Sequence, residues 1–429
     1  MLLAGAGRSV ITPEPGIDLG GYAGRIGPAT GVHDDLFATA LVFKQGKELF
    51  ALVSCDLGGI SYGMGQRIRQ AVFHQSGIPS HRIILCATHT HSGPTLDVFH
   101  GMGKPDSAYS VILERKIAAG VVQAVKHPKP VELFAGKGRV KINVNRRSCL
   151  KIRNRKKDCP VDEEVFVLKA AAGDKTIARL VNYACHPVVL TRDNLLFSAD
   201  YPGATRKVTE SVLGGLTLFF PGCSGDQNPV HRGSFDTMER LGTALAGEVI
   251  KVESLLSEGK QPELRMLTRQ VFLPLLPPCQ EKLREILARN TILQKRSADP
   301  LQKIVAQRWI DWASFYLNIS RQRPLPEEIP IAVSALFLGE VVLVSFPGEV
   351  LVEIGLKIKK KSPFKYTFLL TCADGLVGYL PTRKALQEGG YETQAYIWYN
   401  GLPFSPQAER ILLANIEELL HQGKSDSSR

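Results

Sequence analysis

The sequence predicts a mixed α/β (α+β) fold, in which β-sheets flanked by helices form one large domain. Short apolar runs rich in β-branched and aromatic residues alternate with helical stretches through the first half of the chain. Two long helical segments and another strand-rich segment, 331–346, follow in the second half. Because no internal repeat and no convincing linker interrupts this pattern, we expect a single domain over residues 1–422 and a disordered tail at 423–429.

Local patterns predict the individual elements. Gln45-Gly46-Lys47 separates two apolar runs and predicts a hairpin, and Pro300 interrupts a long helical pattern. Gly5-Ala6-Gly7 does not predict a dinucleotide site, because no strand precedes it and Val10 stands in place of the third glycine. The predicted strands are 36–43, 49–56, 82–87, 165–170, 177–184 and 217–220, and the predicted helices are 65–75, 108–125, 236–256, 280–321 and the segment from 407 onward.

Charge and composition limit the possible partners without naming one. The chain has 53 Lys+Arg against 41 Asp+Glu, a formal charge of +12, which favours anionic partners in general. Two basic runs stand out. We interpret them as solvated surfaces, with recruitment of an anionic substrate as the alternative; no nucleic-acid-binding signature accompanies them, so we expect no nucleic-acid partner. The runs are Lys151, Arg153, Arg155, Lys156 and Lys157, and Lys357, Lys359, Lys360, Lys361 and Lys365.

The sequence also predicts no membrane span and a reducing compartment. The most apolar region, 331–356, is broken by Glu340, Pro347 and other polar residues, and the N-terminus lacks the pattern of a signal peptide. Eight cysteines are scattered without a CxxC pair, so we expect reduced thiols and a cytoplasmic location. Cys185 and Cys223 stand beside candidate site residues, but burial in the core is the favoured interpretation over metal ligation.

Histidines follow two of the predicted strands. His89 and His91 come directly after strand 82–87, and their i, i+2 spacing in extended chain places both imidazoles on one side. His186 ends a second apolar strand in the same way. Imidazole is the usual ligand of zinc, and a site at a sheet edge needs such convergence. Two hydrogen-bonded loop histidines remain the alternative to a metal site for the His89–His91 pair alone.

Two further turns carry polar groups after predicted strands. The glycine-rich segment 221–229 could form an anion-binding nest of backbone N–H groups, with Asp226 orienting a histidine or a water. Glu349 follows another strand and turn. An ordinary turn and an ordinary acidic residue at a helix N-terminus are the alternatives.

Taken together, these segments resemble the neutral/alkaline non-lysosomal ceramidase family, whose members are zinc-dependent amidases. The order of the shared segments over nearly the whole chain carries the resemblance. They are Gly5-Ala6-Gly7 through Pro13, Gly20-Gly21-Tyr22-Ala23, Gly31 through Ala38, Thr88 through Pro94, Asn143-Val144-Asn145-Arg146, Asn182 through Pro187, Gly225-Asp226, Pro347-Gly348-Glu349, and Gly378 through Thr382 with Tyr391-Glu392.

The resemblance implies one Zn²⁺ ion and a set of site residues. The ligands carried over by position are His89, His186, Glu349 and Tyr379. The resemblance places His91 beside the metal as a contact to substrate or water, and the sequence does not distinguish this role from direct ligation. Arg146 matches an arginine that contacts substrate, and Tyr391 matches a second active-site tyrosine. Asp226, in the shared Gly225-Asp226 segment, and Asn228, at a position where the chain departs from the family, are the other two candidate catalytic residues.

The chain also departs from the family pattern. Asn228 stands where the family has a catalytic serine; it can donate a hydrogen bond to an oxyanion but cannot act as a nucleophile. Arg147 replaces a second serine, after the Asn-Arg pair. We also expect the family's carboxy-terminal β-rich domain to be missing, because the match ends near the end of the chain.

The prediction from sequence is therefore a hydrolase that uses a zinc-activated water to cleave a linear amide bond in a small N-acyl substrate other than ceramide. An anionic substrate is among the candidates. Two alternatives stay open: a non-catalytic ligand-binding protein on the same scaffold, and a metal-dependent esterase or phosphoesterase. The sequence does not indicate an oligomeric state.

Overall fold

The computed structural model describes residues 1–149, 151–152, 155–156 and 159–426, with the backbone alone at 149, 151, 152, 155, 156 and 426. The strands are β1 (Leu2–Val10), β2 (Gly31–Val32), β3 (Phe37–Gln45), β4 (Glu48–Cys55), β5 (Ile83–Ala87), β6 (Lys129–Pro130), β7 (Glu132–Arg139), β8 (Asn143–Asn145), β9 (Lys151–Ile152), β10 (Arg155–Lys156), β11 (Glu164–Ala172), β12 (Lys175–Tyr183), β13 (Leu196–Phe197), β14 (Leu216–Pro221), β15 (Gln227–Pro229), β16 (Leu264–Pro274), β17 (Glu328–Leu338), β18 (Val341–Ser345), β19 (Glu349–Val350), β20 (Tyr366–Leu370) and β21 (Tyr379–Leu380). The α-helices are α1 (Tyr62–Ser76), α2 (Ser107–Lys126), α3 (Asp200–Leu213), α4 (Phe235–Ser254), α5 (Gln280–Arg296), α6 (Pro300–Gln322), α7 (Val352–Lys361), α8 (Arg383–Glu388) and α9 (Ala408–Asp426).

Three larger sheets organise these elements. The first has the strand order β5-β4-β3-β1-β6, the second β14-β12-β11-β7 and the third β16-β17-β18-β20. Each is mostly antiparallel but contains one parallel pair: β4 with β5, β12 with β14, and β18 with β20. The predicted mixed α/β fold is confirmed.

Apolar side chains from all three sheets meet in one core, and the helices cover the outer faces. The central core contains Leu41, Phe43, Phe166, Leu168, Leu336, Leu343 and Phe368. A second core lies between the first and third sheets and helices that include α1, α2, α6 and α9, and a third lies between the second sheet and helices α3 and α4. Burial on this scale stabilises the fold by about 25 cal/mol per Å² of apolar surface.

The carboxyl ends of the parallel strands are joined to one another by backbone hydrogen bonds. The N–H of Ala87, at the end of β5, donates to the carbonyl of Cys372 at 3.1 Å. The N–H of Thr371, after β20, donates to the carbonyl of Pro221 at 3.0 Å. Segments that follow strands of three different sheets therefore lie side by side.

Two details at the ends of the chain refine the prediction from sequence. Gly5 and Gly7 lie inside β1, where a β-carbon would overlap the carbonyl oxygens of Ala124 and Gly120 in α2. They serve close packing of a strand against a helix. At the other end α9 continues to Asp426, so residues 423–426 are helical where a disordered tail was predicted, and residues 427–429 lie outside the described part. Gly423 is buried, and a β-carbon at this position would lie 2.1 Å from the ring of Phe337.

Candidate active site

The candidate site lies where the carboxyl ends of the parallel strands meet. His89 follows β5, His186 follows β12 and Glu349 follows β18 after a short turn. Side chains that come after parallel strands emerge at the same edge of a sheet. The three sheets thus deliver one polar side chain each to a shared junction, which the sequence predicts for the two histidine strands.

Three imidazoles occupy this junction. The ring nitrogens of His89, His91 and His186 lie within 4.8 Å of one another, and Nε2 of His89 is 3.5 Å from Nε2 of His91. The backbone of His89 has a φ of 70°, a left-handed conformation that costs a non-glycine residue about 1–2 kcal/mol. A hydrogen bond from its N–H to the carbonyl of Leu57, 2.9 Å long, helps to hold it. Such strain is common where a functional side chain must be aimed.

The carboxylate of Glu349 faces two of these rings. Its Oε2 lies 3.0 Å from Nε2 of His186 and 3.2 Å from Nε2 of His89. On the far side of each ring, Nδ1 donates to a backbone carbonyl, that of Gly58 for His89 and that of Ser224 for His186. Because a carbonyl only accepts, each neutral ring carries its proton on Nδ1 and turns the lone pair of Nε2 toward Glu349.

The neutral imidazoles and the ionised carboxylate of this cluster together favour a bound cation. Burial lowers the pKa of His186 to about 4 and the pKa of His91 well below its usual value, so both rings are neutral at pH 7. Burial acts to raise the pKa of Glu349, but His89 and His186 outweigh it and the carboxyl stays ionised. Burial acts to lower the pKa of His89, but Cys372 and Glu349 outweigh it, so this ring takes a proton when no other cation balances the carboxylate.

The donor set fits a metal ion of the zinc type. Imidazole nitrogens and a carboxylate oxygen are usual zinc ligands, and backbone carbonyls that fix the opposite ring nitrogens are the usual outer partners. His89, His186 and Glu349 have this arrangement. His91 is held less firmly, because its buried Nδ1 has no hydrogen-bond partner in the described part of the chain.

Tyr379, the fourth residue of the predicted ligand set, lies beside Glu349. β19 and β21 pair in parallel with these two residues in register. The Tyr379 hydroxyl accepts a 3.1 Å hydrogen bond from Nη2 of Arg146. Burial raises the pKa of Tyr379 well above its usual value, and the charge of Glu349 raises it further, so the phenol is neutral in the absence of a cation.

Arg146 forms a second wall of the site. It follows β8, and its guanidinium lies 5.5 Å from the ring centroid of Tyr379 and 5.4 Å from that of Tyr391. Its Nε donates to Glu392 at 2.7 Å and its Nη2 to the carbonyl of Gly225 at 2.6 Å. Tyr391 is 50% exposed, so it borders an opening to solvent rather than the interior.

The second departure from the family pattern has a structural role. Arg147 is buried and donates to the other carboxylate oxygen of Glu392 at 2.6 Å, so two consecutive arginines hold one glutamate. Its Nη2 donates to the carbonyl of Gly389 at 2.9 Å. Arg147 therefore fixes the turn that carries Tyr391 from inside the protein.

Asn228 lies next to Arg146. β15 pairs with β8 so that Asn228 stands opposite Val144, and its Oδ1 is 3.5 Å from Nη1 of Arg146. With the carbonyl oxygen turned toward the guanidinium, the amide N–H₂ group is the end that can donate to a substrate oxygen.

Asp226 does not contact the histidines, whereas the orienting of a histidine was one interpretation of its place in the sequence. Its Oδ1 accepts a 2.9 Å hydrogen bond from the N–H of Val352, the first residue of α7. Its Oδ2 accepts one of the same length from Asn145. Burial raises the pKa of Asp226 and these hydrogen bonds oppose the shift. In the structure Asp226 ties α7 to β8.

The anion nest suggested by the glycine-rich turn is largely closed. The N–H groups of Gly222, Gly225 and Gln227 donate to backbone carbonyls at 2.8–2.9 Å. These donors hold the turn in shape, which places the carbonyl of Ser224 on His186. They are not free for a ligand.

Tyr399 is a site residue that the sequence did not single out. Its hydroxyl donates to Oε1 of Glu349, the oxygen that faces away from the histidines. Its ring packs 5.6 Å from that of Phe99 and 6.3 Å from that of Tyr379. The aromatic run 396–399 was the available signal, but aromatic runs are far more often core than site.

Tyr22 was part of a resembling segment but had no assigned role. Its ring meets that of His91 edge-on, with centroids 5.0 Å apart, and its hydroxyl donates to the carbonyl of Leu190 at 2.9 Å. Arg25 stacks over Tyr22 and donates to the carbonyl of His91 at 2.7 Å. This loop covers the outer side of His91.

We expect Gly21→Ala to disturb His91 directly. Gly21 has a φ of +89°, and a β-carbon there would lie 2.5 Å from Cγ of His91, so the imidazole must move. The expected cost is about 1–3 kcal/mol of stability together with weaker metal binding, measured by thermal unfolding and zinc titration. Gly27→Ala is the control, because Gly27 shares the positive φ but has open space around its β-carbon position. Equal effects of the two variants would contradict the clash.

The second basic run does not form a free cationic surface. Four of its five lysines pair with carboxylates: Lys357 with Glu409 at 2.6 Å, Lys359 with Asp162 at 2.6 Å, Lys361 with Glu417 at 2.7 Å and Lys365 with Glu340 at 3.8 Å. This pairing favours our interpretation of a solvated face. The side chains of the first run, 151–157, lie outside the described residues.

A groove of about 940 Å³ lies apart from the histidines, between β7, the end of α4 and the third sheet. Charged residues on its rim pair with each other, as Lys260 does with Glu340 at 2.9 Å and Lys137 with Glu164 at 3.0 Å. Size alone does not make it a reaction site, and the chemistry-bearing groups converge elsewhere.

Comparison with known proteins agrees with this geometry. Residues 2–218 match the family model for neutral/alkaline non-lysosomal ceramidase, N-terminal. The chain is 25% identical to the neutral ceramidase of Pseudomonas aeruginosa over 217 residues, an alignment that covers 46% of this chain and 32% of the relative. In that alignment the chain therefore spans about a third of the relative's length.

Solved structures share the fold over nearly the whole chain. The crystal structure of neutral ceramidase from Pseudomonas aeruginosa superimposes with a TM-score of 0.75 at 19% identity, covering 99% of this chain and 75% of that one. A ceramidase complexed with C2 gives a TM-score of 0.75 at 18% identity, covering 98% and 74%. Since the family model spans half of the 429 residues, the chain belongs to the neutral/alkaline non-lysosomal ceramidase family.

Proposed function

We propose that this protein is a zinc-dependent hydrolase that cleaves the amide bond of an N-acyl substrate. The observation that supports it most is the convergence of Nε2 of His89, Nε2 of His186 and Oε2 of Glu349, with each Nδ1 tied to a backbone carbonyl. Tyr379 and His91 stand beside these three groups. A zinc ion held there supplies a Lewis acid and a water of lowered pKa.

The remaining residues divide the other tasks of amide hydrolysis. Arg146 and the amide N–H₂ of Asn228 are placed to donate to a substrate oxygen. Burial lowers the pKa of His91, so its ring is neutral. Its lone pair would take the proton that the attacking water loses and pass it to the leaving nitrogen. Tyr391, half-exposed beside Arg146, borders the path by which substrate enters.

The substrate we propose is a small N-acyl molecule other than ceramide, and anionic compounds belong in the search. Asn228 in place of the family serine motivates this departure. We also propose a cytoplasmic location, because scattered cysteines that remain thiols are typical of a reducing compartment. The thiols that support it are Cys55, Cys86, Cys185, Cys223, Cys279 and Cys372. None of the described helices is long and apolar enough to cross a membrane.

The test is metal analysis followed by an activity screen. Purified protein should contain about one zinc per chain and should hydrolyse at least one member of a panel of N-acyl amino acids, N-acyl amines and ceramides in a chelator-sensitive way. Matched esters in the same panel separate an amidase from an esterase. Protein without stoichiometric metal, or turnover that survives both chelation and His89→Ala, would contradict the proposal.

We expect Asn228→Ala to lower kcat about 10²-fold with little change in KM, because a donor to the developing oxyanion acts mainly in the transition state. Asn228→Ser keeps a donor and should recover part of this loss. Asn415→Ala, on α9, is the matched control. A change confined to KM would show instead that Asn228 binds the ground state.

A further inference from the structure

We infer that α6 holds Tyr399 against Glu349, and that Arg308 is a positioning residue for the metal site. The inference rests on the proposed metal site but concerns α6 and the turn that carries Tyr399, which lie outside the proposed ligands and outside the segments that resemble the family. The element that connects them is the 395–401 turn, which contains a 3₁₀ segment at Ala395–Tyr399.

Tyr399 decides how the carboxylate of Glu349 is turned. Its hydroxyl donates to Oε1, and Oε2 is the oxygen that faces Nε2 of His89 and His186. A carboxylate held at one oxygen presents the other in a fixed direction, which is what outer hydrogen bonds do for metal ligands. The phenol ring is itself wedged, since a β-carbon at Gly378 would lie 3.1 Å from it.

The turn that carries Tyr399 is tied to α6 through its carbonyl groups. Nε of Arg308 donates to the carbonyl of Ile397 at 2.7 Å, and Nε1 of Trp312 donates to that of Gly401 at 2.8 Å. The hydroxyl of Tyr316 donates to the carbonyl of Asn400. The three donors recur every four residues along the helix and therefore share one face.

Arg308 makes a second contact that fixes the shape of the turn. Its Nη2 donates to Oδ1 of Asn400, a residue with a left-handed φ of 50°. Arg308 is 7% exposed and has no carboxylate within 4 Å in the described ranges. A buried cation is costly unless its donors are used, and in the described part of the chain this guanidinium donates to the carbonyl of Ile397 and to Oδ1 of Asn400, both on the 395–401 turn.

The turn is anchored on its other side as well. The N–H of His100 donates to the carbonyl of Trp398 at 2.7 Å, and the neighbouring Phe99 packs against the rings of both Tyr399 and His89. The 395–401 turn thus joins α6 to the histidine side of the site. Its position affects the metal ligands through Tyr399.

The experiment titrates Zn²⁺ alone into the full-length, metal-free protein in competition with a chelator. Arg308→Met is expected to weaken zinc binding about 10-fold, the lower end of what loss of an outer partner costs. Arg308→Lys, which keeps one donor and the charge, should recover part of the affinity. Arg321→Met, an exposed arginine on the same helix, is the matched control and should bind zinc as the wild type does.

The same measurement in a Tyr399→Phe background separates an effect of Arg308 on the position of Tyr399 from a general effect on stability. Tyr399→Phe removes the hydroxyl, so Arg308→Met added to it should weaken zinc binding no further. Asn400→Gly, which tolerates the positive φ, replaces Arg308→Met if that variant does not fold. The same 10-fold loss in the Tyr399→Phe background would overturn the inference, as would unchanged zinc affinity in Arg308→Met.

The failure of this inference differs from the failure of the proposed function. If the wild-type protein binds no zinc, the proposed metal site is wrong. The inference that α6 holds Tyr399 in place is then tested by thermal unfolding. Arg308→Met and Tyr399→Phe should lower the unfolding midpoint together by less than the sum of their separate shifts. Strictly additive shifts of the unfolding midpoint would overturn the inference that α6 holds Tyr399 in place.

Discussion

Glu349→Gln is expected to abolish stoichiometric zinc binding and to lower turnover about 10³-fold. The carboxylate is the anionic group that lies against Nε2 of both His89 and His186. Two unit charges about 4 Å apart attract by about 4 kcal/mol at an effective dielectric of 20, so removal of the charge costs a divalent cation at least three powers of ten in affinity. Zinc content and kcat/KM measured on the same preparation check both parts.

The same variant is also expected to weaken the metal-free protein. His89 takes a proton there and pairs with the Glu349 carboxylate, so Glu349→Gln removes a buried ion pair and the metal-free variant should be less stable than the metal-free wild type. Glu353→Gln is the control, four residues further along and paired with Lys384 near the surface. Retention of about one zinc per chain by Glu349→Gln would contradict the assigned ligand set.

Much of the fold was predictable because it rests on local patterns. The hairpin around Gly46, the strand pair β11–β12 and the helix break before Pro300 lie within a few residues of their predicted places. The convergence of His89 and His186 also followed, since both end buried strands. That two different sheets supply these strands could not be read from the sequence.

What the sequence did not predict depends on contacts between distant segments. The resemblance put Glu349 and Tyr379 in one ligand set, but the pairing of the two-residue strands β19 and β21 that brings them together was not predictable, because strands this short leave no periodic pattern. Tyr399 reaches Glu349 through a turn held by α6, 84–92 residues away along the chain. The contact of Asp226 was likewise not predictable: its place beside site residues suggested chemistry, and in the structure its carboxylate accepts a hydrogen bond from the N–H of Val352 at the start of α7.

We expect the buried carboxyl of Asp200 to make the folded protein less stable as the pH rises. It is fully buried, has a φ of 57° and accepts hydrogen bonds from the N–H groups of Val189, Leu190 and Tyr201. Two of these donors belong to the loop that follows His186. Burial raises the pKa of Asp200 from 3.8 to about 6, although the backbone N–H groups oppose the shift.

An acid whose pKa is higher in the folded state binds its proton more tightly there than in the unfolded state. Its contribution to stability is therefore complete below pH 3.8 and is lost as the pH rises through about 6. A shift of about two pKa units corresponds to about 3 kcal/mol. In metal-free protein, the free energy of unfolding of the wild type relative to Asp200→Asn should fall by about this amount between pH 4 and pH 7.5. Urea unfolding across that range measures it.

The comparison with Asp200→Asn isolates this one carboxyl, because the histidines and all other groups titrate in both proteins. Asp193→Asn, at a side chain that is 82% exposed in the same loop, is the matched control for the removal of a carboxylate there. If the difference in the free energy of unfolding between the wild type and Asp200→Asn stays constant or grows with pH, ionisation of Asp200 does not destabilise the folded protein. The loop behind His186 would then be held by a charge that the fold stabilises, rather than by hydrogen bonds that offset an unfavourable buried charge.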